Sequence, residues 1–174
     1  MNNKNPKLTR IERLLLSNQY KILESLYPGE AEYYENNRKA IDEGFELHYK
    51  DCFSALSEDT MTEEECEEVI DILNMYRAIT FSNKDEYDIP SYEIKFDGFD
   101  LNDDYECKRV LYARYFINDL DRFEELKYGK SYADCNSHSP RMNRYRNMLK
   151  VWKKLDNKYK ELSKDEILEI INKG

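Results

Sequence analysis

Three arginines closely follow a polar loop, and side chains of these types could together bind an anion. The loop has the sequence Asn-Ser-His-Ser-Pro at 136–140, and Arg141, Arg144 and Arg146 come soon after it. If a helix begins here, its free amides and the guanidinium groups can donate hydrogen bonds to phosphate or carboxylate oxygens. The predicted ligand-binding residues are Asn18, Asn136, Ser137, His138, Ser139, Arg141 and Arg144.

The start of a helix is an unusual place for so much positive charge. The helix dipole already places partial positive charge there, and each added cation is unfavourable by about 0.3 to 1 kcal/mol. Residues 141–160 contain eight Lys+Arg and one Asp, a charge of +7 in a chain of −9. Internal counter-charge is available, since 58–68 holds seven Asp+Glu and 97–106 holds five. The sequence favours internal pairing and leaves an external anion, a solvated face and an acidic protein partner as alternatives.

Asn18 is a separate candidate because it lies among the apolar residues of the first predicted helix. It follows Ile11 by seven positions and Leu14 by four, so the three side chains share one face. An unpaired amide buried there would cost about 1 to 3 kcal/mol. We therefore expect Asn18 to be hydrogen-bonded, either to the protein itself or to a ligand.

Catalysis is weakly indicated. His138 is the histidine beside the polar cluster, and Ser137 and Ser139 are candidate nucleophiles, but neighbours in sequence need not meet in space. The chain contains no nucleophile elbow, phosphate-binding loop or dinucleotide fingerprint. We predict a binding or regulatory protein for a small anionic ligand or a partner protein; the alternative is a hydrolase or nuclease acting on a phosphorylated or nucleic-acid substrate through His138.

Metals, cofactors and nucleic acids are not expected ligands. The four cysteines are too far apart for a C-x-x-C pair, and 97–103 lacks the alternating oxygen ligands of a calcium loop. Tyr145, Trp152 and Tyr159 alternate with basic residues as stacking platforms can, but two of these rings share an apolar helix face. The net charge of −9 also disfavours binding to DNA, RNA or anionic lipid.

The composition is typical of a globular protein. The chain has 174 residues, of which 40% are hydrophobic and 13% aromatic, enough for a core of its own. We predict a single domain over 1–174 with a polar N-terminal tail at 1–8. The sequence shows neither the pattern of a signal sequence nor that of an apolar membrane span, so we expect a cytoplasmic location.

Hydrophobic periodicity predicts a mainly α-helical bundle of about six helices. Three starts carry a capping box, in which a hydroxyl residue precedes a glutamate by three positions. These pairs are Thr9/Glu12, Thr62/Glu65 and Ser163/Glu166. Five of the predicted helices cover 10–26, 30–50, 62–81, 103–126 and 164–172. The remaining one, fifth along the chain, is capped by Ser139 and opened by Pro140. The predicted apolar face of the first helix consists of Ile11, Leu14, Leu15, Ile22 and Leu26.

One short β element is expected between the third and fourth helices. Tyr92, Ile94 and Phe96 alternate with Glu93 and Lys95, as in a strand with one apolar face. A lone strand needs a partner, which could be another stretch of this chain or the same strand of a second copy. Together with the many tyrosines, this favours a homodimer.

Four segments resemble the YfbU family of bacterial proteins. They are 15–23 (LLSNQYKIL), 69–78 (VIDILNMYRA), 96–100 (FDGFD), and 136–140 (NSHSP) continuing to Tyr145, Met148, Leu149 and Trp152. The resemblance implies no catalytic residues, because the family is named for an uncharacterised protein. Some relatives are joined to a DNA-binding helix-turn-helix domain, which implies a ligand-sensing role; here we expect the domain to stand without that attachment.

Overall fold

The computed structural model of the protein describes residues 5–57, 59–156 and 161–174. It divides the chain into two compact units, Met1–Thr60 and Met61–Gly174. Part of the predicted tail (1–4), Glu58 of the first acidic segment, and Tyr159 with the end of the basic segment lie outside the described residues. The single domain over 1–174 stays a prediction.

The first unit is built on two helices, α1 (Arg10–Leu26) and α2 (Ala31–Glu43). α1 begins at the predicted capping box of Thr9 and Glu12. The prediction that the second helix runs to residue 50 is wrong, because Gly44 adopts a left-handed backbone with φ of +77° and ends α2. Arg13 donates hydrogen bonds to two of the last carbonyls of α2, and a 3₁₀-helix, Glu46–Phe53, follows.

The buried face of α1 is the one opposite to the prediction. The core of this unit consists of Tyr20, Ile41 and Tyr49, with Leu16 and Leu23 of α1 packed against it. The predicted face is instead exposed, with exposed fractions of 72% for Ile11, 61% for Leu14, 60% for Leu15, 52% for Ile22 and 64% for Leu26. Asn18 is exposed with them, so the expected internal hydrogen bond is not required.

The described residues of the second unit form five α-helices. They are α3 (Glu63–Ser82), α4 (Ser91–Ile94), α5 (Cys107–Arg114), α6 (Met142–Trp152) and α7 (Lys164–Ile171). The capping boxes at Thr62 and Ser163 are confirmed as the starts of α3 and α7. Leaving the 3₁₀-helices aside, the seven α-helices and the π-helical turn Tyr115–Asp119 make eight helices among the described residues rather than six. The mainly α-helical prediction is confirmed. No helix among these residues has the length and apolar character needed to cross a membrane.

α5 is much shorter than the predicted helix over 103–126. It passes into the π-helical turn and then ends, and the chain continues through left-handed residues at Asp121 and Phe123. Its buried face contains Val110, Ala113 and the side chain of Arg109. The apolar residues on which the longer prediction rested are largely on the surface; exposed among them are Tyr105, Leu111, Tyr115 and Leu120.

The predicted strand is also wrong. Residues Ser91–Ile94 form the single turn α4 after Pro90, and an extended segment follows. Ile94 and Phe96 are buried as expected, but the ring of Phe96 packs against Tyr76 of α3 and Tyr145 of α6. The amide of Phe96 donates to the hydroxyl of Tyr128 at 2.7 Å. Because no strand is present among the described residues, the unpaired edge no longer argues for a dimer.

Two loops cross where the second unit's core meets its surface. In this loop crossing (residues 97–101 and 134–138), Phe99 and Asn136 form an isolated parallel bridge. The amide of Phe99 donates to the carbonyl of Cys135 at 3.0 Å, and the amide of Ser137 donates to the carbonyl of Phe99 at 2.9 Å. Below the bridge, aromatic rings pack with centroid distances of 5.5 to 5.9 Å. These rings are Tyr76, Phe96, Phe99 and Tyr145.

The loop crossing predicts a requirement for glycine at residue 98. Gly98 has φ of +92°, and a Cβ there would lie 2.1 Å from the backbone carbonyl carbon of Cys135. We expect Gly98→Ala to lower the free energy of unfolding by about 3 kcal/mol, since both the backbone and the close contact oppose it. Urea denaturation measures the change.

Gly129→Ala is the matched control. Gly129 has a similar φ of +78°, but nothing lies within 4 Å of its added Cβ. This variant should lose only about 1 kcal/mol, from backbone strain alone. Equal losses in the two variants would show that the close approach of the loops is unimportant.

Candidate functional site

A buried carboxylate occupies the N-terminus of α6. Glu106 is 2% exposed, and its carboxylate accepts from the amide of Arg141 at 2.7 Å and from that of Met142 at 2.7 Å. It also accepts from the amide of Asp100, at 2.9 Å, in the first loop of the crossing. Such a carboxylate satisfies free amides of the helix and complements its dipole. Glu106 therefore stands where the sequence suggested an external anion.

The predicted helix cap is replaced by this carboxylate. The N-cap residue of α6 is Arg141, with no hydrogen bond from its side chain to the helix, and Ser139 lies outside the helix. The hydroxyl of Ser139 instead donates to the carbonyl of Ser137. Glu106 is 36 residues before Met142, so no local sequence signal marks it as the cap.

Arginines of α6 pair mainly with the protein's own acids. The guanidinium of Arg141 lies 3.4 Å from the carboxylate of Asp97. Arg146 forms a two-point pair with Glu68 of α3, at 2.6 and 2.9 Å, and this bond is the main reason that the pKa of Arg146 is raised. The side chain of Arg144 lies against Gly174 instead, and its Nε is buried without a hydrogen-bond partner.

A second arginine–acid cluster fixes α5 to α3. The guanidinium of Arg109 is 2% exposed and donates to Glu65 at 3.1 Å and to the hydroxyl of Tyr105 at 3.0 Å. Arg109 and Arg146 both lie near the Tyr105 ring, at 4.0 and 5.4 Å from its centroid. Two cations thus lie close to one ring, and the negative charge on the face of the ring attracts them.

The open cleft beside this cluster is acidic. Its volume is about 360 Å³, and it is lined by five carboxylates and three cationic side chains. The carboxylates are those of Glu64, Glu65, Glu67, Glu68 and Asp71, and the cations are Arg109, Arg146 and Lys153. This net negative charge opposes an anion, so the cleft does not fit the predicted ligand.

The polar loop at 136–139 is largely occupied by bonds within the protein. The amide oxygen of Asn136 accepts from the amides of Leu101 and His138, each at 3.2 Å. The hydroxyl of Ser137 donates to the carbonyl of Ser139 at 2.7 Å. His138 is exposed, with φ of +55°, and its Nδ1 lies 3.3 Å from the side-chain amide nitrogen (Nδ2) of Asn136. The predicted nucleophiles thus bond within the loop, and His138 faces solvent.

A second cavity borders the loop crossing and has a different charge. This lysine cavity, of about 310 Å³, is lined by Lys95, Lys127 and Lys130 and by two carboxylates, Asp97 and Asp134. Asn136 also lines it, together with the aromatic rings of Phe96 and Tyr128. Of the predicted ligand-binding residues, only Asn136 lines this cavity, and Asn18 belongs to the other unit.

Both carboxylates of the lysine cavity already have arginine partners. Asp97 pairs with Arg141, and Asp134 pairs with Arg114 at 2.5 Å; neither arginine lines the cavity. Lys127 donates to Glu124, which raises the pKa of Lys127 and keeps it charged. Lys95 and Lys130 are exposed, and the Nζ of Lys95 lies 5.3 Å from the Tyr128 ring.

Comparison with known proteins identifies relatives along almost the whole chain. The YfbU domain matches residues 6–173. The UPF0304 protein MJECS11 of Methanocaldococcus jannaschii is 34% identical over 171 residues, which cover 95% of this chain and 99% of that protein. The match therefore spans both compact units.

Substitution of Glu106 tests whether its buried carboxylate stabilises the contact between the start of α6 and the first loop of the crossing. We expect Glu106→Gln to lower the free energy of unfolding by about 3 kcal/mol, because an amide cannot accept as many amide hydrogens and loses the charge. Chemical denaturation measures this loss. Glu169→Gln, at an exposed position of α7, is the control and should change stability by less than about 0.5 kcal/mol. Similar stability of the two variants would contradict a central role for Glu106.

Proposed function

This chain belongs to the YfbU family, and we propose that it acts by binding a small anionic ligand in the lysine cavity of its second unit. The observation that carries the proposal is the balance of charge around the cavity. Its two carboxylates are paired with arginines outside it, while Lys95 and Lys130 have their ammonium groups available. An anion entering the cavity would complete this balance.

The size and shape of the cavity support a small ligand. Its volume of about 310 Å³ lies at the lower end of the range of about 300 to 1,000 Å³ for small-molecule sites. Phe96 and Tyr128 provide apolar and aromatic surface, while the lysines and Asn136 provide hydrogen-bond donors. A phosphorylated or carboxylated metabolite with a small apolar part has the matching chemistry.

The loop crossing gives such a ligand a route to influence the protein. Asp97 lines the cavity and pairs with Arg141, whose backbone amide donates to the buried Glu106. A ligand that draws Asp97 or Asn136 into new bonds would therefore act on the start of α6. This supports a regulatory binding role rather than a chemical reaction.

A thermal-unfolding screen with inorganic phosphate, sugar phosphates, nucleotides and carboxylates tests the proposal. A ligand at about 100 times its dissociation constant adds about 2.7 kcal/mol to stability, a rise in Tm of roughly 5 to 10 °C for a chain of this size. The double substitution Lys95→Ala with Lys130→Ala should weaken binding at least about tenfold, since each lysine contributes a charged hydrogen bond.

Lys154→Ala provides the matched control, because Lys154 is exposed two residues after the end of α6 and does not line the cavity. It should leave the shift unchanged. A ligand whose shift survives the double substitution binds elsewhere and refutes the assigned site. A screen without any stabilising anion would favour the partner-protein alternative.

A further inference from the structure

We propose that the exposed face of α1 is a dimer interface, on which a second copy of the chain packs its own α1 in the antiparallel direction. The proposal concerns the first unit and does not depend on the ligand proposed above. It rests on the apolar stripe of α1, defined as Ile11, Leu14, Leu15, Asn18, Gln19, Ile22 and Leu26.

The α1 stripe is a surface of unusual composition for exposed residues. Its five leucine and isoleucine side chains are each exposed by more than half, although Leu16, Tyr20 and Leu23 already attach α1 to its own core. None of the seven stripe residues carries a charge. Continuous exposed apolar surface of this kind marks an interaction site, and no charge would have to be desolvated to cover it.

The order of residues in the stripe identifies a second α1 as its partner. Counted inward from the two ends, Leu15 lies four positions after Ile11, and Ile22 lies four positions before Leu26. The amides of Asn18 and Gln19 occupy the midpoint. Apart from Leu14, the stripe therefore reads alike in both directions. A two-fold antiparallel pairing consequently sets apolar residues beside apolar residues and amides beside amides.

In this register every stripe residue except Leu14 lies opposite a suitable stripe residue of the other copy. Ile11 of one copy lies beside Leu26 of the other, and Leu15 lies beside Ile22. Asn18 of each copy lies beside Gln19 of the other, so their side-chain amides can donate to and accept from each other. A polar pair at the centre of an apolar seam fixes the register, because any slip would bury the amides without partners.

The length of the interface sets its strength. A helix of 17 residues is about 26 Å long, so the pairing of two such helices buries an area at the low end for specific complexes, below about 1,200 Å² in total. The dimer should therefore form in a concentration-dependent manner. Analytical ultracentrifugation of the full chain over a series up to several hundred micromolar should show a mass approaching twice the monomer value of 21.0 kDa.

Charge substitutions test the antiparallel register directly. Leu15→Lys alone and Ile22→Glu alone should each yield a monomer, because a charge would be buried against an apolar side chain. The double variant with both changes should regain the dimer, since the antiparallel register places each lysine beside a glutamate of the other copy. A parallel pairing would place like charges together and would not be rescued.

Leu111→Lys is the matched control. Leu111 is 57% exposed on α5, close to the 60% of Leu15, and its substitution should leave the dimer unaffected. Circular dichroism confirms that each variant is folded. The proposal is overturned by a wild type that stays monomeric throughout the series, by single variants that still dimerise, or by a double variant that fails to recover. Binding of the monomeric wild type to anionic phospholipid vesicles would also overturn it and assign the face to a membrane surface.

Discussion

The buried carboxylate of Glu106 is the constraint around which the second unit is organised. It accepts amide hydrogens from the start of α6 and from Asp100, so one side chain joins the helix to the first loop of the crossing. From the same helix, the hydroxyl of Tyr145 donates to the carbonyl of Gly98 at 2.8 Å. The helix, the loops and the aromatic rings beneath them are thus held in one hydrogen-bonded arrangement, in which few parts can move independently.

The positive charge of α6 is balanced within the molecule by this arrangement and by the acidic face of α3. Glu68 binds Arg146, Asp71 binds Lys153, and Glu65 reaches Arg109 of α5. Pairing of this kind brings three helices together in defined positions, although partly exposed ion pairs add little stability individually. Arg141 and Arg146 are already paired with acids, so the lysines beside the loop crossing are better placed than these arginines to bind an external ligand.

Short sequence motifs correctly predicted the structural features that depend only on neighbouring residues. The three capping boxes predicted the starts of α1, α3 and α7, because the bonds of a capping box join residues only three positions apart. The buried face of α1 could not be predicted in the same way, since this helix has apolar side chains on opposite faces and only tertiary packing decides between them. The strand prediction failed because alternation at Ile94 and Phe96 also fits one helical turn followed by an extended segment.

Long-range polar contacts explain most of the remaining differences, including those at the candidate site. Glu106 and Arg109 are charged residues at buried positions, the reverse of the usual pattern. The prediction therefore relied on apolar and aromatic residues in and beside α5 that are in fact exposed, such as Tyr105 and Tyr115. The lysine cavity is lined by residues from two separate segments, 95–97 and 126–136, that meet at the loop crossing. No single segment of the sequence therefore reveals it. Only Asn136 among the predicted residues belongs to both the polar loop and this cavity.

Cys135 lies in the second loop of the crossing, where its carbonyl accepts from the amide of Phe99, and its burial determines how its thiol reacts. Burial raises the pKa of its thiol to about 12, so at neutral pH the sulfur is protonated and a poor nucleophile. We therefore expect alkylating reagents to modify this cysteine slowly while the two loops stay together, because the residue is only 8% exposed. The rate of its alkylation is a natural reporter of how often the protein opens at this point without unfolding as a whole.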